Sequence, residues 1–408
     1  MLYLLCSLVA AGLAAGVVAT PQPIQLTARK MPRGHIAALR KRALEPVNVP
    51  LADFFINIDL QWFGNISVGT PPQTISVVFD TGSFTLEFVS TECGAPCAGQ
   101  VVFDPSKSST FIQGNEIGEL DFATGVGVDP VINNDYVLTE RNGFDTVSVG
   151  GLTVKNQSLF TIINQTAPFD IDPFSGILGM GCTSSALAER LIKEGLPALF
   201  GILLTPKAVG HAELTLGGFD ESKFIGPLTF APLSAEADDQ WALDSPSITV
   251  NGRTTPLLAS NRSIIFDSGT SNIVFDQNTT EAMNALISPD IKPFAAEPGA
   301  YGIACDKIPE LKAEIDFAFI GEGGKVFHLK IPTSELNVGP FKSDPTICQT
   351  LINTFPDLEL VGGSLLKHYY SVWDIGGQRM GFAPNGKHHS LSHYTSQIVN
   401  GVRWRVGH

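Results

Sequence analysis

The chain has 408 residues, more than one hydrophobic core ordinarily serves, so two domain-sized units are expected. Charged residues make up 16% against a typical value of about 25%, while 40 Gly and 27 Pro suit short strands joined by many turns, the composition of an all-β protein. The net charge of −14 is uneven: residues 1–42 hold six basic and no acidic side chains, leaving 20 basic against 40 acidic, a surface that disfavours nucleic acid and stays soluble in acid.

In chain order, Leu2 to Ala19 is apolar and ends in small residues, with Val17 and Ala19 placed for cleavage before Thr20. Residues 1–19 therefore read as a signal peptide; the alternative is an uncleaved anchor, since such a stretch could just span a bilayer. Residues 20–42 read as a basic propeptide ending in Arg40-Lys41-Arg42, a site suited to a dibasic processing protease. Turn signals at Gly69-Thr70-Pro71-Pro72, Asp104-Pro105-Ser106, Gly217-Gly218 and Asn251-Gly252 separate strand-like runs such as Ile75–Phe79 and Ser247–Val250. Ser185–Glu194 is the best helical candidate, with Gly195 just past it. Phe230 to Asp244 looks like the connection between an N-terminal lobe, 43–230, and a C-terminal lobe, 231–386. The tail 387–408 is His-containing and reads as solvated and disordered rather than metal-binding. No other stretch is long and apolar enough to span, so no stable membrane association is expected.

Five cysteines remain beyond Cys6, an odd count that leaves one unpaired. Closeness in sequence favours Cys93–Cys97, and a Cys305–Cys348 bridge would close a loop worth up to roughly 4 kcal/mol. Cys182 is then the free, buried thiol. Glycosylation sequons begin at Asn65, Asn156, Asn164, Asn261 and Asn278, and Asn65, at the start of a strand-like stretch, is expected to be the least used.

An internal repeat organises the chain. Val77-Val78-Phe79-Asp80-Thr81-Gly82-Ser83 recurs as Ile264-Ile265-Phe266-Asp267-Ser268-Gly269-Thr270. Ile177-Leu178-Gly179 is matched in turn by Leu360-Val361-Gly362, and the Asp-to-Gly spacing is 99 residues in the first half and 95 in the second. Two signals at nearly one spacing indicate a duplicated fold. Each apolar triplet reads as a buried strand delivering Asp into a tight turn, where Gly lets two chains approach closely.

One Asp-Thr-Gly alone more often caps backbone amides than performs chemistry. Two copies related by duplication would bring equivalent turns together across a pseudo-twofold axis and set the carboxylates against each other. Like charges about 3 Å apart cannot both ionise, so the pair shares one proton. The ionised member can take a proton from a water held between them while the protonated member polarises a carbonyl, which hydrolyses amides without metal or cofactor. Competing devices are missing: there is no Gly-x-Ser-x-Gly elbow, no His-Glu-x-x-His and no phosphate loop, since Gly321-Glu322-Gly323-Gly324-Lys325 lacks the spacing. A glycosidase also uses two carboxylates, but about 5–9.5 Å apart around a sugar, too far for two touching turns.

At these residues the chain resembles the pepsin-like aspartic proteases of the secreted, fungal type, over roughly residues 60 to 386. Further matches are Gly69-Thr70-Pro71-Pro72-Gln73, Phe103-Asp104-Pro105-Ser106-Lys107-Ser108-Ser109-Thr110, Gly176-Ile177-Leu178-Gly179, and the ending Tyr369-Tyr370-Ser371-Val372-Trp373-Asp374 to Gly381-Phe382-Ala383-Pro384. A shared proton is a property of that family, so the paired-carboxylate argument is not independent of the resemblance. It implies an all-β, two-lobed fold with a cleft between lobes. Asp80 and Asp267 would be the dyad, Ser83 and Thr270 would hydrogen-bond their outer oxygens, and Thr81 and Ser268 would brace the turns from behind, with Gly82 and Gly269 completing them. A flap closing over substrate would run through Leu120-Asp121-Phe122-Ala123-Thr124-Gly125, with Ile177 also at the substrate. Both proposed cysteine pairs fall where the family places disulfides.

Three departures stand out: Phe122 replaces the flap Tyr, Glu87 replaces the Trp that follows the first motif, and Ser175 replaces an Asp. None touches the dyad, so activity is expected while the family's specificity is not carried over. Glu87 and Phe122 read as a linked change, the first partly buried and protonated in acid. The expected function is an endopeptidase cleaving polypeptides between apolar residues in acid, acting as a monomer, secreted or in an acidic lumen such as the vacuole. The alternative is a catalytically weak, protease-like binding or inhibitory protein, which usually shows a lost Asp or broken turn; neither turn is broken here.

Overall fold

In the computed structural model of the chain, residues 44–123, 135–182 and 186–386 are described. The expected signal peptide, propeptide and tail, and Thr124 and Gly125 of the flap, lie outside them. Strands dominate.

The run Gln73–Asp80 is β-branched and apolar, and its last four residues are all buried, so it forms an interior strand rather than an amphipathic one. It pairs antiparallel with Ile58–Val68 and parallel with Gly176–Gly179, which sets Asp80 opposite Gly179. Gly176–Gly179 pairs antiparallel with Leu86–Val89, and that strand runs parallel with Leu152–Gln165. The second half repeats the plan. Arg262–Phe266 is parallel with Leu360–Val361, which is antiparallel with Ile273–Phe275, itself parallel with Ile352–Thr354. The same order and senses of pairing, built on the two repeated segments, bear out the duplication.

One sheet draws on both halves. In order it runs Thr229–Pro232, Arg379–Pro384, Tyr369–Asp374, Leu199–Leu203, Ala212–Leu216 and Val47–Ile56. Phe200 stacks on Trp373 with centroids 5.8 Å apart and meets Trp241 edge-on at 5.9 Å. Trp241 is fully buried and its Nε1 donates to the Met180 carbonyl at 2.9 Å. The Phe230–Asp244 stretch thus links the shared sheet to the strand Ala242–Ser245 while anchored in the core.

The expected helix appears as Ala186–Lys193, with Gly195 beyond it at φ +107°. A second helix, Gln277–Ile287, was not anticipated; Asp276 caps it, accepting from the amides of Asn278 at 2.8 Å and Thr279 at 3.1 Å. Cys93–Cys97 and Cys305–Cys348 are disulfide-bonded, and Cys182 is free and buried. The Cys182 thiol donates to the Asp239 carbonyl at 2.8 Å, and burial pushes its pKa up to about 11. All five sequon asparagines are exposed, Asn65 from within the strand Ile58–Val68.

Candidate active site

Each half delivers its carboxylate from the end of a buried strand into a turn closed by the same bond. The Gly82 amide donates to Asp80 Oδ1 at 2.8 Å, and the Gly269 amide to Asp267 Oδ1 at 2.7 Å. Glycine is required by space. A Cβ on Gly82 would lie 2.6 Å from Asp267 Cγ, and one on Gly269 would collide with the Asp80 carboxyl. Each turn therefore presses its backbone against the other half's carboxylate.

Behind the turns, Thr81 and Ser268 exchange two hydrogen bonds, and each hydroxyl makes one more to a carbonyl of the opposite half. Thr81 Oγ1 accepts from the Ser268 amide at 2.9 Å and donates to the Phe266 carbonyl at 3.2 Å. Ser268 Oγ accepts from the Thr81 amide at 3.1 Å and donates to the Phe79 carbonyl at 2.7 Å. Each hydroxyl is buried and ties the end of the opposite half's Asp-bearing strand to the turn that follows it, which fixes the distance between the carboxylates.

The outer oxygens are treated unequally. Thr270 Oγ1 donates to Asp267 Oδ2 at 2.6 Å. The Ser83 hydroxyl, expected to do the same for Asp80, is buried and makes no hydrogen bond of normal geometry, although it lies close enough to oppose the shift at Asp80. Asp80 and Asp267 are 8% and 7% exposed. Burial, the charge of Asp267 and a hydrogen bond to it together hold the Asp80 carboxyl well above the usual range, against the smaller pull of Ser83 and the Gly82 amide. One proton is thus kept in the pair at a pH where an isolated carboxyl has lost it.

The dyad lies between two parts of a cleft. On one side a space of about 410 Å³ is lined by Phe84, Thr85, Leu120, Phe122, Leu358 and Leu360. On the other, Phe122 and Ile177 join Tyr136, Phe169 and Phe174. Phe122 packs edge-on against Phe169 at 5.7 Å, and Ala123 lines the larger space. Gln61, which sequence reasoning missed, lines the site and donates from Nε2 to the Gly269 carbonyl at 2.5 Å. Its position on the strand antiparallel to the one carrying Asp80 could have drawn notice only once that pairing was known.

Glu87 is more deeply placed than expected. It is 0% exposed in the strand Leu86–Val89, and neither carboxyl oxygen has a hydrogen bond of normal geometry. Burial pushes it up to about 8; the nearby Thr85 hydroxyl opposes this and Glu140 adds to it.

The family description "Eukaryotic aspartyl protease" matches residues 61–385. The chain is 30% identical to pepsin A of Suncus murinus over 356 residues, covering 84% of each chain. It is 29% identical to cathepsin E of Aquarana catesbeiana over 354 residues (83% of this chain, 82% of the relative). To pepsin-2B of Gadus morhua it is 31% identical over 345 residues (80% and 96%). The chain belongs to the eukaryotic aspartyl protease family: it has the two-lobed, all-β pepsin-like fold and is an aspartic endopeptidase acting on polypeptides. No helix among the described residues is long and apolar enough to cross a membrane.

Proposed function

We propose that the protein hydrolyses internal peptide bonds in acid, between apolar residues, using a water activated between Asp80 and Asp267. The observation that carries this reading is the reciprocal packing of Gly82 and Gly269 against the opposite carboxylates, which brings each half's turn against the other half's acid. The ionised member takes a proton from the water as it attacks. The protonated member donates to the developing oxyanion, and the proton then passes to the leaving amine. Phe122 and Ala123 belong to the flap that covers substrate, and Ile177 contributes to the floor. Thr81, Ser268 and Thr270 position the carboxylates.

Residues 1–19 direct secretion, residues 20–42 are a propeptide, and the lobes meet near residue 230. The mature enzyme works as a monomer, extracellularly or in an acidic lumen, with no nucleic-acid partner; glycans sit on Asn156, Asn164, Asn261 and Asn278. Asp80→Asn and Asp267→Asn test the dyad. Each abolishes cleavage of a denatured globin in acid while the circular dichroism spectrum is unchanged. Substantial activity in either variant refutes the assignment.

A further inference from the structure

Next to Asp80, Asp267 and Gly269 the aromatic side of the cleft carries the carboxyl of Asp172 on its wall. A second small cavity, lined in part by Gln100, shares Phe169, Asp172, Phe174 and Ile177 with it. Asp172 is 9% exposed and its Oδ1 has no hydrogen-bond partner within the protein. Gln61 Oε1 and Gln100 Oε1 are likewise buried acceptors without a donor. Both amides are oriented by their other end, because Gln61 Nε2 donates to the Gly269 carbonyl at 2.5 Å and Gln100 Nε2 to the Phe174 carbonyl at 3.0 Å. Among the described lining residues of these two parts, every buried polar side-chain atom left without a partner is an acceptor. Rings form the walls, acceptors are spaced along the bore, and no cation is built in. A purely apolar substrate side chain would shut those acceptors away from water unpaired. A long aliphatic stem ending in several N–H donors would satisfy them and still pack on the rings.

We propose that this pocket takes a lysine or arginine side chain of the polypeptide substrate, its stem against Phe122, Phe169 and Phe174 and its cationic head donating to Asp172, which makes Asp172 a specificity-determining residue. This rests on the peptidase reading and adds to it, since the opposite side of the cleft keeps its apolar lining. The titratable groups facing Asp172 across the pocket are Asp80, Asp267 and Tyr136. Burial alone holds the Asp172 carboxyl up at about 8, with no charged neighbour contributing. A cation within about 4–6 Å lowers such a carboxyl by about 1–3 pH units, so the occupied pocket ionises as pH rises through about 5 to 7. Preference for the cation therefore sharpens with pH over that range.

The test uses the processed enzyme and quenched peptides of one apolar core, with Lys, Arg, Gln or Leu placed in turn at each position flanking the scissile bond. At one position Lys or Arg raises kcat/KM about 10-fold over Gln, and the Lys-to-Leu ratio grows from about pH 4 to about pH 6. Asp172→Asn lowers the Lys-to-Leu ratio at that position about 10-fold, and an unchanged circular dichroism spectrum shows that the variant is folded. Equal Lys-to-Leu ratios in wild type and variant at every position, with the Leu peptide cleaved, overturn the inference and leave the peptidase reading standing. If the variant does not fold, a wild-type ratio flat across that pH range overturns it equally. If the wild type cleaves no peptide, the peptidase reading fails and the inference with it.

Discussion

Replacing Glu87 by Gln removes an ionisable group from the core with almost no change of shape, and its effect depends on pH in a calculable way. The side chain is fully buried, and burial lifts its pKa from the ordinary 4.5 to about 8. Below 4.5 the carboxyl is protonated in both folded and unfolded chains, so it costs the wild type nothing. As pH rises the unfolded chain releases its proton while the folded one holds it, and the wild type loses stability relative to Gln by about 1.4 kcal/mol per pH unit. The gap reaches about 3 kcal/mol at pH 7 and levels off near 5 kcal/mol above the folded pKa. Urea unfolding of both proteins at several values from about pH 4 to about pH 7.5 measures it. The amide's own packing shifts the whole curve by a constant, so the slope is the diagnostic. Parallel stability curves across that interval would show that Glu87 ionises in the folded state as easily as in water, and the burial argument would fail. Glu140 and Asp172, lifted by burial to about 7 and about 8, act in the same direction.

Lys367 offers the opposite case. Its Nζ lies 2.9 Å from Asp59 Oδ2 and 2.7 Å from Glu335 Oε2, and all three side chains are buried. For both carboxyls burial is the largest single influence and raises the pKa, but Lys367 and neighbouring donors outweigh it and hold each below its ordinary value. Lys367→Met removes the cation shared by two buried carboxylates, leaving Glu335 with His368 and Asp59 with the Lys207 amide, and lowers stability by about 3–5 kcal/mol in urea unfolding; a loss below about 1 kcal/mol contradicts this. The basic leader is tested by N-terminal sequencing of active, secreted protein, which begins after Arg42; a fully active chain still starting near Thr20 excludes a propeptide.

The duplication was legible because it is written twice. Asp80 and Asp267 sit in matching heptads, and the strands that hold them obey matching pairing rules. The disulfides followed from cysteine spacing, and the helix Ala186–Lys193 from composition and Gly195. What stayed hidden depends on the third dimension. Gln61 reaches the Gly269 carbonyl across 208 positions, and Asp172 looks like any loop acid until Phe169 and Phe174 fold around it. Glu87 was expected to be partly buried, and only its pairing between Ile177 and Phe160 explains why it is enclosed completely. The helix Gln277–Ile287 carries a good cap in Asp276, but Asn278, Thr279 and Thr280 in its first turn are poor helix formers that mask it in the sequence.

The sheet shared by both halves also dictates when the protein can finish folding. Leu199–Leu203 waits for Tyr369–Asp374, the first strand of the last hairpin described, and Thr229–Pro232 waits for Arg379–Pro384, the second. While the ribosome is still making residue 360, the first half already holds its own Asp turn, but Leu199–Leu203 presents an unpaired edge. That edge invites association with other chains until the hairpin arrives. Completion of the shared sheet therefore needs a long-range closure, and a chain cut short of Tyr369 keeps the Leu199–Leu203 edge unpaired.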